Sequence, residues 1–250
     1  MQRYFIHKRY SESSPVIITG EDYHHIVRVM RMKEDDHIFV VFPDQSSAVA
    51  RIETISSDSV EAVVVEWETD SKELPVKVAI ASGLPKGDKL ELIFQKGTEL
   101  GADQFIPFTA DRSIVKWDEK KAKKKLDRWE KIVKEAAEQS HRNVVPSVSS
   151  PVSFKELLTL SKQFDYTLVA YEEEARSGEK SNLSKTLGTV NEGESILVVF
   201  GPEGGLTEDE VGRCRQEGFL ICGLGPRILR TETAPLYVLS AMSYQLELMR

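Results

Sequence analysis

The 250-residue sequence has few of the features that mark secreted, membrane-spanning or metal-binding proteins. Its only two cysteines, Cys214 and Cys222, form no CxxC arrangement, so neither a disulfide framework nor a zinc site is indicated. Its five histidines form no ligand pattern, and we expect no metal. No apolar run is long enough to span a bilayer, and the N-terminal segment lacks the apolar region of a signal peptide. We therefore expect a soluble, cytoplasmic protein without membrane contact.

Sequence signatures of several common enzyme classes are absent as well. The chain has no GxGxxG fingerprint, GxxxxGK(S/T) P-loop or GxSxG motif, which disfavours a Rossmann-type dehydrogenase, a P-loop enzyme and a serine hydrolase. Its net charge of −7, from 33 Lys and Arg against 40 Asp and Glu, excludes a polycation that coats nucleic acid by charge alone. Basic residues are concentrated in segments 1–33 and 116–134, each of which is either a nucleic-acid contact or a solvated face.

Residues 1–72 are β-rich and predict a small barrel or sandwich. Three β-branched runs recur at roughly ten-residue spacing between turn residues. A short helix over 23–32, capped by Asp22, precedes them, and a polar stretch over 68–73 marks the linker. The three predicted strands are His37–Pro43, Ser47–Ser56 and Ser59–Trp67.

Residues 73–250 alternate strands with helices, which is typical of an α/β domain. Ser195–Phe200 is almost wholly apolar, as expected of a strand that is buried on both faces of a parallel sheet. Further predicted strands are Val76–Ala81, Phe105–Phe108, Tyr166–Tyr171 and Phe219–Cys222. The predicted helices are Lys89–Leu100, Lys120–Ser140, Ser153–Lys162, one that opens with the capping box Thr207-x-x-Glu210, and a terminal one capped by Thr233.

Two loops near the C-terminus are the strongest candidates for a ligand site. The first runs from a buried strand through GPEGG (residues 201–205) to a capped helix, so its backbone amides open onto the sheet edge where α/β proteins bind ligands. Its acid, Glu203, disfavours phosphate and suits a cationic or hydrogen-bond-donating ligand. The second, residues 224–234, is long for a connection and carries Arg230 and Glu232. Either loop can also be a purely structural turn. A third feature, Gly97 within a predicted helix, costs about 1 kcal/mol relative to alanine and indicates close packing or close approach of another group.

These segments together closely resemble the RsmE family, bacterial 16S ribosomal RNA uridine-N3 methyltransferases of the SPOUT superfamily. The resemblance covers essentially the whole chain, and the paired loops GPEGG and LGPRILRTETA are its most specific part. Two departures, the KEDD turn at 33–36 and Gly97, lie outside these loops. The supporting segments are residues 86–108, Arg112, and residues 128–142.

The resemblance implies a SPOUT α/β fold with a deep trefoil knot over 73–250 and a PUA-like, RNA-binding β-barrel over 1–72. It also implies a homodimer whose active sites draw on both chains. The two loops would form the knot and hold S-adenosyl-L-methionine in a bent shape. The residues expected to bind it are Gly201, Pro202, Glu203, Gly204, Gly205, Leu224, Gly225, Leu229, Arg230, Thr231, Thr233 and Ala234.

The implied reaction is methylation of N3 of a specific uridine in 16S ribosomal RNA of the small ribosomal subunit. N3 is a weakly acidic imide that loses its proton as it attacks, so the site needs a base or cations that stabilise the developing anion. Candidates for stabilisation are Arg112, Lys96 and Arg230, and candidates for proton acceptance are Glu99 and Glu203. RNA contacts are expected from Arg3, Arg9, Arg28, Arg31 and Arg142. The alternative is a non-catalytic RNA-binding or ribosome-assembly protein in which the loops only brace the knot.

Overall fold

The structure, a computed structural model, describes residues 1–113, 119–172 and 182–249, and the side chains of all of these except 119–122. The chain divides into two compact units. The first comprises Met1–Glu73 and Ala137–Val144, and the second comprises Leu74–Ala136 and Val145–Arg250. No helix in the described ranges combines the length and the hydropathy that crossing a bilayer requires.

The first unit is built on a five-stranded sheet in the order β1-β3-β4-β5-β2. All neighbouring strands are antiparallel except β1 and β3, which are parallel. The three predicted strands of this region are confirmed, whereas the short strands β1 and β2 were not predicted. The bounds are β1 Arg3–Phe5, β2 Val16–Thr19, β3 His37–Val41, β4 Ser47–Ile55 and β5 Ser59–Trp67.

The short helix of this unit differs from the predicted one. Helix α1 spans Gly20–His24 and continues into a π-helical turn over His25–Val29, where the N–H of Met30 donates to the carbonyl of His25. Asp22 lies inside the first turn and does not cap the helix, so that prediction was wrong. The buried Ile26 anchors this segment to the core of the unit.

The second unit is an all-parallel sheet in the order β12-β10-β11-β6-β7-β8, with β9 also paired to β7. Its strands are β6 Lys77–Gly83, β7 Gln104–Thr109, β8 Ser147–Val148, β9 Val152–Ser153, β10 Tyr166–Ala170, β11 Ser195–Phe200 and β12 Leu220–Cys222. Its helices are α2 Lys89–Glu99, α3 Glu119–Gln139, α4 Phe154–Leu160, α5 Asn182–Thr189, α6 Glu208–Gln216 and α7 Thr233–Ser243. The last three residues of α3 belong to the first unit.

Helices cover both faces of this sheet. Along β11, Ile196 and Val198 belong to one core cluster with residues of α2, α3 and α7, whereas Leu197 and Val199 belong to a second cluster with residues of α4 and α6. Alternation of side chains between the two faces explains why the strand is apolar at every position. The predicted parallel sheet buried on both faces is therefore confirmed.

The carboxyl ends of the neighbouring strands β12, β10 and β11 lie at one edge of the sheet. The chain leaves β11 at Gly201, and Pro202 packs directly on the end of β6. A Cβ atom at Gly83 would lie 2.6 Å from Cδ of Pro202, so β6 must end in glycine for this approach. This edge is where a parallel sheet exposes a ligand site.

Candidate functional site

A cavity of about 350 Å³ opens at this sheet edge, within the second unit. Its walls come from the ends of β10 and β11, the loop after β7, and the two loops singled out in the sequence. The lining residues are Arg112, Ala170, Tyr171, Glu172, Phe200, Gly201, Pro202, Glu203, Gly204, Gly205, Leu206, Leu224, Gly225, Arg227, Ile228, Leu229, Thr231 and Ala234. A volume of this size is typical of small-molecule sites.

The first loop, residues 201–207, folds back closely on itself. A Cβ atom at Gly201 would lie 2.8 Å from both the carbonyl carbon of Gly205 and the nitrogen of Leu206, so no larger residue fits there. Gly205 has a φ of +70°, which favours glycine, and its N–H donates to the carbonyl of Pro202 over 2.8 Å. The predicted capping box of Thr207 and Glu210 opens α6 and is confirmed. The loop therefore presents mostly backbone to the cavity.

The second loop turns at Gly225, where φ is +93°, and ends at α7. The carbonyl of Arg230 accepts hydrogen bonds from the N–H groups of Thr233 and Ala234 at 2.8 and 3.0 Å. Glu232 is the residue that precedes the helix, and it already has helical backbone angles. The predicted N-cap at Thr233 was wrong, because Thr233 lies within the helix and a backbone carbonyl satisfies its N–H.

Arg112 joins the loop after β7 to the first glycine loop. Its Nη1 donates to the carbonyl oxygen of Gly204 over 2.8 Å and to that of Leu206 over 3.4 Å. The N–H of Asp111 donates to Oε1 of the buried Glu210 over 2.9 Å. Arg112 thus lies on the cavity wall with part of its guanidinium fixed and the residue still exposed.

Glu203 carries a partly compensated charge at the rim. Its Oε1 accepts the backbone N–H of Lys86 at 3.0 Å and the ammonium of Lys89 at 2.7 Å. Burial raises the pKa of Glu203, but these hydrogen bonds and the charge of Lys89 outweigh it and lower the pKa overall. The carboxylate is therefore ionised at neutral pH and is a weak proton acceptor.

Ten of the twelve residues that the sequence assigns to the cofactor line the cavity. The side chains of Arg230 and Thr233 do not, although both belong to the backbone junction between the second loop and α7.

The catalytic candidates other than Arg230 are divided between the cavity and helix α2. Arg112 lines the cavity. Lys96 and Glu99 lie along α2, where their side chains pair with each other at 2.8 Å, and the cavity does not include them. Gly97 packs against the ring of Phe105, which a Cβ atom would approach to 2.8 Å, so the packing interpretation of that glycine is confirmed.

Sequence reasoning missed several lining residues. Ala170 ends β10, and Tyr171 and Glu172 follow it. They reach the cavity because β10 lies between β12 and β11. The predicted strand at 166–171 was the available signal, but the strand order is needed to show that its carboxyl end lies beside that of β11. Arg227 and Ile228 lie at the tip of the second loop, and both are exposed at the cavity. Their position in the second loop, between the predicted residues Gly225 and Leu229, was the available signal.

The residues predicted to bind RNA fall into two groups. Arg9, Arg28 and Arg31 are exposed on the first unit. Arg3 and Arg142 are buried, and their guanidinium groups pair with Glu68 and Glu73 respectively. The proposed RNA contact through these two was wrong, because a buried, carboxylate-paired arginine has no surface to offer to a phosphate. Of the basic segment 116–134, residues 116–118 lie outside the described residues, as do the side chains up to 122.

No group of His, Cys, Asp and Glu side chains in the described ranges is placed to hold a metal ion.

Two family models match the chain. Residues 72–243 match an RNA methyltransferase domain, and residues 18–65 match an RNA methyltransferase PUA domain. Ribosomal RNA small subunit methyltransferase E of Bacillus subtilis is 58% identical over 253 residues, covering 100% of this chain and 99% of the relative. The Synechocystis protein of the same name is 33% identical, covering 93% and 74%. The crystal structure of a Neisseria gonorrhoeae ribosomal RNA small subunit methyltransferase E bound to S-adenosyl methionine superposes with a TM-score of 0.84 at 30% identity, covering 97% of each chain.

Proposed function

The chain belongs to the ribosomal RNA small subunit methyltransferase E family, and on that premise we propose that it methylates N3 of a uridine in 16S ribosomal RNA. It is an S-adenosylmethionine-dependent methyltransferase of ribosomal RNA, with a SPOUT-type α/β domain and a PUA-like sheet. What we propose beyond family membership is that the methylated base is a uridine and the methylated atom is N3. The observation that carries it is the cavity that the two glycine-rich loops form in a chain of this family.

The cavity has the chemistry that S-adenosylmethionine requires. Phe200, Leu224 and Leu229 supply apolar wall for a purine, and Gly201, Gly204 and Gly205 leave backbone groups free to approach polar parts of a ligand. Leu206, which follows these glycines, is buried in the core of the second unit and anchors the loop there. We assign cofactor binding to the twelve residues named in the sequence analysis. Ten of them line the cavity, and Arg230 and Thr233 fix the backbone conformation at the end of the second loop.

When bound, the cofactor supplies a methyl group on a positively charged sulfur. Transfer of that methyl group to N3 would release the N3 proton, which passes to water. The residues of this chain have to bind the uridine and stabilise the charge that develops on its carbonyl oxygens. Arg112 is the candidate for stabilisation, because its guanidinium lies on the cavity wall and is held by two carbonyl groups. Glu203 is a poor candidate for the base, because its pKa is lowered and its carboxylate is paired with Lys89.

We place the RNA on exposed arginines of both units. Arg9, Arg28 and Arg31 are exposed on the first unit, for which residues 1–72 are the proposed RNA-binding domain. In residues 73–250, the proposed catalytic domain, Arg227 is exposed at the cavity, and no ion pair is found for it among the described residues. A cation at the cavity mouth suits the phosphate next to a target base, which must be splayed out of its stack for N3 to reach the methyl group.

We further propose that the protein works as a homodimer in the cytoplasm and that its cofactor loops form a deep trefoil knot. Large apolar side chains are exposed on and after α7, and a helix surface of this kind favours burial against a second copy. Helix α7 starts at the cavity, since Ala234 lies in its first turn and also lines the cavity. The exposed apolar residues are Tyr237, Tyr244, Leu248 and Met249.

The proposal is tested in cells that lack the gene. Ribosomal RNA of the small subunit is digested to nucleosides and analysed by mass spectrometry. We expect 3-methyluridine to disappear from the mutant and to return when the gene is restored. Unchanged 3-methyluridine content refutes the proposed base and atom. Titration calorimetry with S-adenosylmethionine separates the enzyme from a non-catalytic RNA-binding protein, which would show no saturable heat.

A further inference from the structure

A lysine outside the cavity contacts both of the loops that form it. Lys89 is the first residue of α2, and its Nζ lies 2.7 Å from Oε1 of Glu203 in the first loop. The same Nζ lies 3.8 Å from Oε2 of Glu232, at the end of the second loop. Lys89 itself does not line the cavity. One ammonium group therefore bridges two segments that are almost thirty residues apart along the chain.

Local helix energetics do not explain a lysine at this position. The N-terminus of a helix carries partial positive charge, so a cation in its first turn is unfavourable and an anion is favourable. The first turn already contains an anion, Glu91. Oε1 of Glu203 accepts both the backbone N–H of Lys86, which precedes the helix, and the ammonium of Lys89. The position of Lys89 is explained by the loops that it contacts.

Glu232 depends on the same ammonium. Its side chain is 15% exposed, and its Oε2 atom is buried with no hydrogen-bond partner in the described structure. Burying a carboxylate oxygen without compensation is costly, so a cation 3.8 Å away is an important stabilising contact. The hydrogen bond to Glu203 raises the pKa of Lys89, and the charges of Glu203 and Glu232 raise it further. Desolvation and the charge of Arg230 lower it by less, so the pKa is raised overall and the ammonium is charged at neutral pH.

We propose that Lys89 is a positioning residue, which holds the two loops at the separation that the cofactor cavity requires. Without its ammonium, the carboxylates of Glu203 and Glu232 lose the cation that they share, although Glu203 keeps the N–H of Lys86. Repulsion between the two carboxylates then favours separation of the loops. Arg112 keeps its own bonds to the first loop, so the loss falls on cofactor binding more than on the chemical step. The identity of the ligand rests on the proposed function, whereas the bridge between the loops does not.

Cofactor binding is measured first, by calorimetry of the full-length protein with S-adenosylmethionine. Lys89→Met, which keeps the length of the side chain and removes its charge, is expected to raise Kd about tenfold, and Lys89→Arg to restore most of the affinity. In turnover assays, KM for S-adenosylmethionine should rise in Lys89→Met by a larger factor than kcat falls. Lys162→Met is the matched control, because Lys162 forms an exposed pair with Glu217 at 3.3 Å in the same unit. A Kd for Lys89→Met equal to that of wild type overturns the proposal.

Hydrogen exchange without cofactor tests the bridge separately from the proposed function. In Lys89→Met, backbone amides of residues 201–206 and 224–231 should exchange faster than in wild type, while those of β6 and β11 should not change. Glu232→Gln is a second variant should Lys89→Met fold poorly, because it removes the ion pair with Lys89 and creates no repulsion between carboxylates. The same amides should exchange faster than in wild type, but by less than in Lys89→Met. Equal loop exchange in both variants and wild type overturns the positioning role. If wild type binds no S-adenosylmethionine but the loops still loosen in the variants, the proposed function fails and the bridge stands.

Discussion

Arg112 and Gly204 are held together by a hydrogen bond of 2.8 Å from the guanidinium Nη1 to the glycine carbonyl. The two residues are 92 positions apart in sequence, and their contact joins the loop after β7 to the first glycine-rich loop. The close approach needs the glycine, since a Cβ atom at position 204 would lie 3.1 Å from Cβ of Arg112. The guanidinium of Arg112 and the first glycine-rich loop are therefore held in contact at the cavity wall.

Replacing Gly204 tests the cavity as the cofactor site. Gly204→Val should abolish measurable S-adenosylmethionine binding in calorimetry, because the added side chain pushes Arg112 aside and fills the approach to the loop. Far-UV circular dichroism should remain nearly unchanged, since Gly204 is exposed and has no positive φ. Gly188→Val is the control, because nothing lies within 4 Å of a Cβ atom there. Retained affinity in Gly204→Val would mean that the cofactor binds elsewhere.

Replacing Arg112 tests its role in the chemical step. If the guanidinium stabilises charge that develops on the uracil carbonyls, Arg112→Lys should lower kcat by about 10²-fold or more. The Kd for S-adenosylmethionine, measured by calorimetry, should change much less than kcat. A variant with wild-type kcat would exclude Arg112 from charge stabilisation.

The exposed arginines of the first unit should govern RNA affinity. The double variant Arg28→Gln/Arg31→Gln should bind small-subunit ribosomal RNA more weakly and reduce the slope of log K against log salt concentration by about 1.5, for two lost phosphate contacts. Its affinity for S-adenosylmethionine should be unchanged. Arg51→Gln is the control, because Arg51 already pairs with Asp35 and Glu53. An unaltered RNA affinity would remove this surface from the RNA path.

Arg142 should stabilise the folded protein and should not contact RNA. Its guanidinium is buried and bonded to Glu73, whose other oxygen accepts the N–H groups of Asn143 and Val144. Arg142→Ala leaves a part-buried carboxylate without its cation and should lower the free energy of unfolding by about 3 kcal/mol, measured with urea. A loss below about 0.5 kcal/mol would indicate that Arg142 is an ordinary surface residue.

The bridge at Lys89 has a defined pH range. The pKa of Lys89 is raised above its ordinary value of 10.5. The stabilisation that its ammonium gives to the two loops is therefore complete below pH 10.5 and is lost as pH rises through the raised pKa. The pKa of Glu203 is lowered below 4.5, so its contribution is complete above that pH and is lost as pH falls through the lowered pKa. The ratio of Kd values for Lys89→Met and wild type, measured by calorimetry from pH 6 to pH 9, should therefore be constant. A ratio that falls towards one within this interval would show that the bridge is not charged as described.

Much of the fold could be predicted because its signals are local. The three long strands of the first unit have β-branched runs bounded by turn residues, and Ser195–Phe200 is apolar at every position because both of its faces are buried. The capping box at Thr207 is a four-residue pattern. The strands that were not predicted, such as Arg3–Phe5 and Ser147–Val148, are too short for a period to be detected, and pairing with a distant strand defines them.

The site could be predicted only where loop composition indicated it. Glycine content identified residues 201–205, but Arg3 and Arg142 looked like surface cations because their partners lie 65 and 69 positions away in sequence. A guanidinium that is buried against a carboxylate and one that faces solvent are the same letter in a sequence. The contribution of Ala170–Glu172 likewise follows from the order of strands, which composition does not encode.

Transfer of a labelled methyl group tests the central claim most directly. Small ribosomal subunits from cells that lack the gene are incubated with the purified protein and S-adenosylmethionine that carries a trideuterated methyl group. Nucleosides from their RNA are then resolved by mass spectrometry. We expect one deuterated methyl group per subunit, on N3 of a uridine, and none with Gly204→Val. Label on another base or atom, or no label with the wild-type protein, would contradict the assigned reaction.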